Sequence, residues 1–538
     1  MIGTAPDEPD LARSTATLTV LTLASRLTGM VRNVVVVAVL GVTFLGNTYQ
    51  SANTVPNLLF ELIAAGVLQA VLIPTLIDLA ANGEDDEAEH VARSVLGLAG
   101  AALAVLALLG AVLAPLVMRL LVAGVDDPQI RDDQIRLGTI LLWFFLPQVV
   151  LYASNMVATG VLNAKGHFAV PVFSPLLNNL VVITSYLLFA WLRHGAEPSL
   201  DLSALQITVL GLGTTLGVVT FCMAPVIAAV RSGTTLWPRF DWRHPGVRRI
   251  ARLGGWAAAF LAATQVLLGV VLVLANHVEG GVVAWNLGFT IFVLPHALVA
   301  LPVLTTLFPT MSRHAVSGDE AAYQRTVASG VRAIAYLVLP AAAALLSLSL
   351  PMARVLRFGV YDGGGVGAVA AATAAFGPGL VGYGTFLFLA RALYARGDTR
   401  TPAMVNLAVV GAGAVGMVIT FALVHGNARL AALAGAHSAA YLAGAGALYL
   451  IVRARSTATD RHAGSVGRSL LASIGAAAAA AGVMWLVGDA MGGGGRADSV
   501  AELAVAGGLG LVVYVAGASL LGGPRPSAVP ALLRGGHG

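Results

Sequence analysis

The chain has 538 residues, 57% hydrophobic and only 11% charged, with mean hydropathy +0.84 and a formal net charge of +5. Globular chains run near ~25% charged, so a water-soluble enzyme, a disordered chain and a disulfide scaffold are excluded, and an all-α polytopic integral membrane protein is expected. The single cysteine, Cys222, lies in an apolar run and reads as a small core residue.

A bilayer core about 30 Å thick needs ~20 mainly apolar residues per helix, and that ruler predicts about fourteen spans. Residues 1–13 carry more acid than base, the wrong polarity for a secretory signal, and read as a cytoplasmic tail. The first span, 14–41, contains SRLTGMVRN, with Arg26 near mid-depth and Arg32 about 9 Å farther along and about 120° around the axis. Both can border one wide cavity. The second span, 47–80, reads NTYQSANTVPNLLFELIAAG and supplies Asn47, Asn57 and the lone mid-membrane acid Glu61, a candidate counter-ion for either arginine. A charge at mid-bilayer costs ~2.5 to 3.5 kcal/mol, so each survivor needs a partner or a watery cavity. Two cations against one anion leave surplus positive charge, which suits an anionic ligand such as a diphosphate held by guanidinium forks.

Spans at 92–123, 135–162, 168–193 and 204–230 complete a first lobe, residues 14–230. The segment 231–249 interleaves arginines with Trp237, Phe240 and Trp242 and is expected to lie on anionic inner-leaflet lipid. Spans at 250–277, 282–312, 327–356, 366–393, 402–425 and 428–452 form a second lobe, residues 250–452. A loop, 453–466, leads to two extra spans, 467–489 and 499–522, within 467–522, and a tail, 523–538.

The halves repeat. Phe145, Pro147, Tyr152, Leu162, Ala164, Lys165, Gly166 and Pro171 recur as Phe376, Pro378, Tyr383, Leu393, Ala395, Arg396, Gly397 and Pro402 at a constant offset of 231. Pro74, Thr75, Gly83 and Arg119 meet Pro309, Thr310, Gly318 and Arg354 at 235. The displacement spans an even number of helices, so the sequence predicts two parallel six-helix lobes plus two C-terminal helices, a transporter architecture. With the N-terminus cytoplasmic, twenty of the 31 lysines and arginines fall on inner loops and tails and eight on outer ends, which places both termini in the cytoplasm.

Asn155, Asn178, Asn179, Gln265, Asn286, His296, Asn406 and His437 read as interhelical hydrogen-bond partners. No HExxH, CxxC or nucleotide-binding glycine loop occurs, and the outer loops offer few acids beyond Asp126, Asp127, Asp132 and Asp133. Neither an enzyme nor a nucleic-acid-binding protein is indicated.

SRLTGMVRN at Ser25, ANTVPNLLFELIAAG at Ala52, LNAKGHFAVPVFSPLLNNLVVI at Leu162 and ARALYARGDTRTP at Ala390 resemble the MurJ/MviN family, over roughly residues 15–455. The resemblance implies a fourteen-helix transporter of the multidrug/oligosaccharidyl-lipid/polysaccharide exporter superfamily, in the bacterial inner membrane. The implied activity is flipping of lipid II, the undecaprenyl-diphosphate-linked peptidoglycan precursor, from the inner to the outer leaflet by alternating access. It implies that Arg26 and Arg32, matching the two arginines of the family's first helix, bind the diphosphate, and that the last two helices form a groove for the polyprenyl tail. The match breaks where Phe60 and Glu61 follow PNLL in place of arginine, where Thr290 replaces an arginine of span eight, and where Asn33 and Asn47 stand for frequent aspartates. Two alternatives stay open: a non-transporting scaffold paralogue in cell-wall assembly, and a related lipid-linked polysaccharide or drug exporter. No cofactor is implied, energy could come from an ion or the membrane potential, and cell-wall synthesis or division proteins are candidate partners.

Overall fold

The computed structural model describes residues 8–61, 72–363, 365–455 and 463–533. The tip of the N-terminal tail, residues 62–71 of the second expected span, part of the 453–466 loop and the end of the C-terminal tail lie outside the described residues. Among the described residues the chain is helical throughout and holds no strand. It forms two compact units, Met1–Gln265 with Phe358–Val360, and Val266–Arg357 with Tyr361–Gly538.

The first unit contains α1 (Glu8–Leu40), α2 (Phe44–Phe60), α3 (Ile73–Ala81), α4 (Asp85–Leu121), α5 (Pro128–Phe145), α6 (Gln148–Ala164), α7 (Ala169–Leu192), α8 (Ala204–Arg231) and the start of α9 (Pro245–Ala275). The second contains α10 (Gly281–Pro295), α11 (Leu301–Ser317), α12 (Glu320–Ser347), α13 (Ser349–Val355), α14 (Val366–Phe376), α15 (Gly379–Ala395), α16 (Arg400–Leu423), α17 (Ala428–Ala454), α18 (Ala463–Met491) and α19 (Arg496–Leu520). Among the described residues, twelve segments are long and apolar enough to cross a membrane, and α14 with α15, bent by 49°, makes a thirteenth. Of the remaining expected span, 47–80, only the parts in α2 and α3 fall within the described residues. This is a multi-pass membrane protein.

The breaks inside spans follow from sequence. Leu146–Pro147 separates α5 from α6, and Gly377–Pro378 separates α14 from α15, because proline has no N–H to continue the ladder. A single π turn, His296–Ala300, between Pro295 and Pro302 carries α10 into α11. The 231-residue repeat is realised helix by helix: α5, α6 and α7 end at Phe145, Ala164 and Leu192, and α14, α15 and α16 end at Phe376, Ala395 and Leu423. Gly166 and Gly397 turn at φ +76° and +75°, in the left-handed region that only glycine enters without strain. At the other offset, α4 starts at Asp85 and α12 at Glu320.

In the first unit, Leu76, Val91, Val95, Met156, Val157 and Leu162 form a buried core where α3, α4 and α6 meet. In the second, α18 and α19 pack on α12 through Ala476, Ala480, Met484 and Ala506, with Tyr514 donating to the Tyr336 carbonyl at 2.6 Å. The small residues let backbones approach, which is what drives helix association in lipid.

The ARALYARGDTRTP motif is an anchor in the second unit. Arg396 pairs with Glu320 at the start of α12 and lies 3.9 Å over the Tyr323 ring. Asp398 accepts from Thr401 N–H at 2.9 Å and pairs with Arg455 at 2.6 Å, beyond the end of α17. Burial pushes the Asp398 carboxyl up, but the hydrogen bonds from Arg455 and Thr401 outweigh it and hold the group at about 2. A depressed folded pKa stabilises above the unfolded value, near 3.9, and the benefit is lost as pH falls toward 2. With Arg455 44% exposed, screening limits it to about 1 kcal/mol. Asp398→Asn is therefore expected to melt ~1–2 °C below wild type at pH 6, with the gap shrinking below about pH 4 and closing only as pH passes below 2.

Candidate functional site

Five helices of the first unit enclose a polar cavity of about 310 Å³. Arg32, Asn33 and Val36 enter from α1, Gln50, Asn53 and Asn57 from α2, Tyr152 from α6, Asn178, Val182 and Tyr186 from α7, and Thr214, Val218 and Phe221 from α8. At ~30 Å³ per water the space holds roughly ten waters, or a compact polar head group with a few of them.

Local structure fixes the walls. Gly41, at φ +71°, stops α1, and the Thr43 hydroxyl caps α2 by accepting from Gly46 N–H at 3.2 Å. Asn179 Nδ2 donates to the Ser25 carbonyl and the Thr28 hydroxyl, both at 3.2 Å, pinning α7 to α1. Arg193 Nη1 donates to the Val39 carbonyl at 2.8 Å, securing the far ends of the same pair. Beside the cavity the buried Tyr49 hydroxyl bonds Tyr186 at 2.8 Å and Thr214 at 2.6 Å, so α2, α7 and α8 share one hydroxyl network.

Of the residues singled out in the sequence, Arg32, Asn33 and Asn57 line this cavity. Arg26 does not: it is exposed on the face of α1 that also shows Leu23, Leu27 and Met30. Asn47 is fully buried in the first turn of α2, and Glu61 stands half-buried just past its last turn. Among the described residues no ion pair joins Glu61 to Arg26 or Arg32. Thr290 lies in the second unit, its hydroxyl donating to the Asn286 carbonyl at 2.8 Å. Of the outer acids, Asp127 caps α5 and Asp133 pairs with Arg136 at 3.1 Å, both structural roles.

Sequence reasoning missed Tyr152, Tyr186, Thr214 and the lining role of Asn178. Tyr152 had a visible signal, since it is one of the repeat positions. Its repeat mate Tyr383 stands in a different setting, among Phe292, Phe376, His437 and Tyr441. His296 packs edge-on to Tyr383 at 4.9 Å. At the same offset Asn178 and Tyr186 become Val409 and Met417. The first unit thus holds a polar hollow where the second packs aromatic rings.

Among the described residues no carboxylate lines the cavity, and Arg32 is its one charged group. Arginine presents five donors in a planar fork, and the asparagine amides add more, an arrangement for binding oxyanions. The surrounding low dielectric strengthens each of these contacts relative to water.

A sequence profile described as lipid II flippase MurJ matches residues 36–500. The lipid II flippase MurJ of Burkholderia cenocepacia is 28% identical over 408 residues, covering 74% of this chain and 76% of the relative. A probable lipid II flippase MurJ of Haemophilus influenzae is 27% identical over 399 residues, 72% and 76% of the two chains. Among solved structures, a lipid II flippase MurJ in an inward closed conformation aligns with TM-score 0.72 and 18% identity over 94% of this chain and 98% of the other. An inward-facing MATE family multidrug transporter of the MOP superfamily aligns with TM-score 0.64 and 13% identity, over 81% and 94%. These two likenesses are of fold.

Proposed function

The chain belongs to the lipid II flippase MurJ family, and on that premise we propose that it is a transporter that flips lipid II from the inner to the outer leaflet of the bacterial inner membrane. Dragging a diphosphate and its sugars through hydrocarbon is prohibitive without a polar path. The observation that carries the reading is the cavity around Arg32, where none of the described lining residues is a carboxylate and guanidinium and amide donors are offered to a diphosphate. A cationic drug would need a lining acid, so a drug exporter is disfavoured.

In this reading the lobes are residues 14–230 and 250–452, both termini are cytoplasmic, and alternating access carries the head group while the tail stays in lipid. A second groove, of about 730 Å³, supports a place for the tail: it runs between α12, α18 and the end of α19, with Leu471, Ala472 and Leu521 along it and Arg332 and Arg468 at its wall. The exposed Trp237, Phe240 and Trp242, beside exposed Arg239 and Arg243, suit contact with anionic inner-leaflet lipid.

The direct test is reconstitution. Vesicles containing the protein are expected to move labelled lipid II to the opposite leaflet at least about tenfold faster than protein-free vesicles, the rate change for ~1.4 kcal/mol of barrier. Equal rates would remove the flippase assignment.

A further inference from the structure

We propose that the first unit carries a separate binding site for one anionic glycerophospholipid, in a groove of about 960 Å³ at the junction of α6, α7 and α8. The groove arises from sequence. Ala224 and Ala228 on α8 and Ser232 at its C-cap recur every four residues and present one low face, while Phe168 at the N-cap of α7 and Phe173 and Leu177 along it stand opposite them. From Phe168 to Leu177 the trough is about 14 Å long at ~1.5 Å per residue. That fits one stretch of acyl chain and is far shorter than a long polyprenol. In a bilayer such a trough is filled by lipid, because an unfilled one forfeits the dispersion contacts of its lining.

The rim supplies selectivity. Exposed Arg231 and His167 line the mouth, and among the described residues no acid lines the groove. Lys165 Nζ donates to the Ser232 carbonyl at 3.0 Å and to the Thr234 hydroxyl at 2.6 Å. Its charge offsets the negative end of α8 and leaves the rim net positive. A phosphate bearing a net negative charge meets Arg231 there through charge-assisted hydrogen bonds, whereas a zwitterionic head brings a cation to the same rim. The Arg32 cavity is lined by none of these residues, so the two sites are distinct.

The test uses the full chain in phosphatidylcholine vesicles doped with equal amounts of diazirine-tailed phosphatidylglycerol or diazirine-tailed phosphatidylcholine. Cross-linked peptides are mapped after illumination. Phosphatidylglycerol is expected to label residues 166–177 and 224–232 about fivefold more than phosphatidylcholine, the factor for one basic side chain at an anionic head group. Arg231→Gln should remove that preference. Ala228→Phe, which fills the trough, should lower labelling of these segments by both lipids while leaving labelling elsewhere and the elution profile unchanged. Equal labelling by the two lipids in the wild type would overturn the proposal. So would loss of the phosphatidylglycerol label on adding equimolar undecaprenyl diphosphate, which would assign the groove to a polyprenyl carrier.

Discussion

Arg32→Glu is expected to abolish complementation of a flippase-depleted strain while leaving the protein in the membrane at wild-type abundance. Among the described residues Arg32 is the only charged group lining the cavity, so reversal turns an anion site into one that repels a diphosphate. Losing a charge-assisted hydrogen bond costs ~1.5 to 3 kcal/mol before any repulsion is counted. Together the two effects imply at least a hundredfold loss of lipid II movement, about 2.7 kcal/mol or more. Arg32→Lys keeps the charge but loses the planar fork, and a loss of about tenfold is expected. Arg26→Glu serves as the contrast: on an exposed face of α1, outside the cavity, it should cost less than Arg32→Glu. Growth of the Arg32→Glu strain at the wild-type rate would separate the cavity from transport.

The second large effect is expected from Gly97→Val. The loop after α8 does not float. Arg239 N–H donates to the Arg93 carbonyl at 3.0 Å and Arg93 Nε donates to the Trp237 carbonyl at 3.0 Å. His90 Nε2 bonds Asp241 at 3.1 Å while its Nδ1 accepts from Arg239 at 3.0 Å. The hydrogen bond from His90 also holds the Asp241 carboxyl below the usual range. His244 pairs with Glu87 at 3.0 Å. A Cβ added at Gly97 would lie 1.8 Å from the Arg239 carbonyl oxygen, and a backbone atom cannot rotate aside. Overpacking of this kind costs ~1 to 3 kcal/mol, so the loop must leave α4 or α4 must move. Brief trypsin treatment of inside-out vesicles, which expose this loop in the proposed topology, should cut at Arg239 and Arg243 at least about tenfold faster than in wild type, the ratio for ~1.4 kcal/mol of opening. Unchanged cleavage would mean that the loop is already detached in the membrane.

What the sequence made legible is what local chemistry determines. Spans follow from hydropathy, and the offset of 231 survives to the helix ends because proline and glycine stop helices wherever they stand. Arg32 was legible because a cation within a span needs a reason to be there. Arg26 carries the same signal, and only the packing of α1 against α7 decides which side is covered. Glu61 reads as a counter-ion because it is the lone mid-membrane acid of the first two spans, yet a shared depth does not bring side chains together across helices. The Tyr49, Tyr186 and Thr214 network joins three helices across 137 and 165 residues, a coincidence of contacts with no local pattern. The docking of the loop on α4 was hidden for a similar reason: Glu87, His90 and Asp241 look like ordinary solvated charges, and the interleaved arginines and tryptophans suggest lipid contact alone.

The contrast between a hollow in one half and stacked rings at the matching place in the other gives the halves different mechanical stiffness. Tight ring packing resists compression, whereas a hollow yields to it. Hydrostatic pressure should therefore register first in α2, α7 and α8, and deuterium should reach their amides sooner than those of α10, α15 and α17. An ancestral duplication would in that way have left one soft partner and one rigid one from the same helical plan.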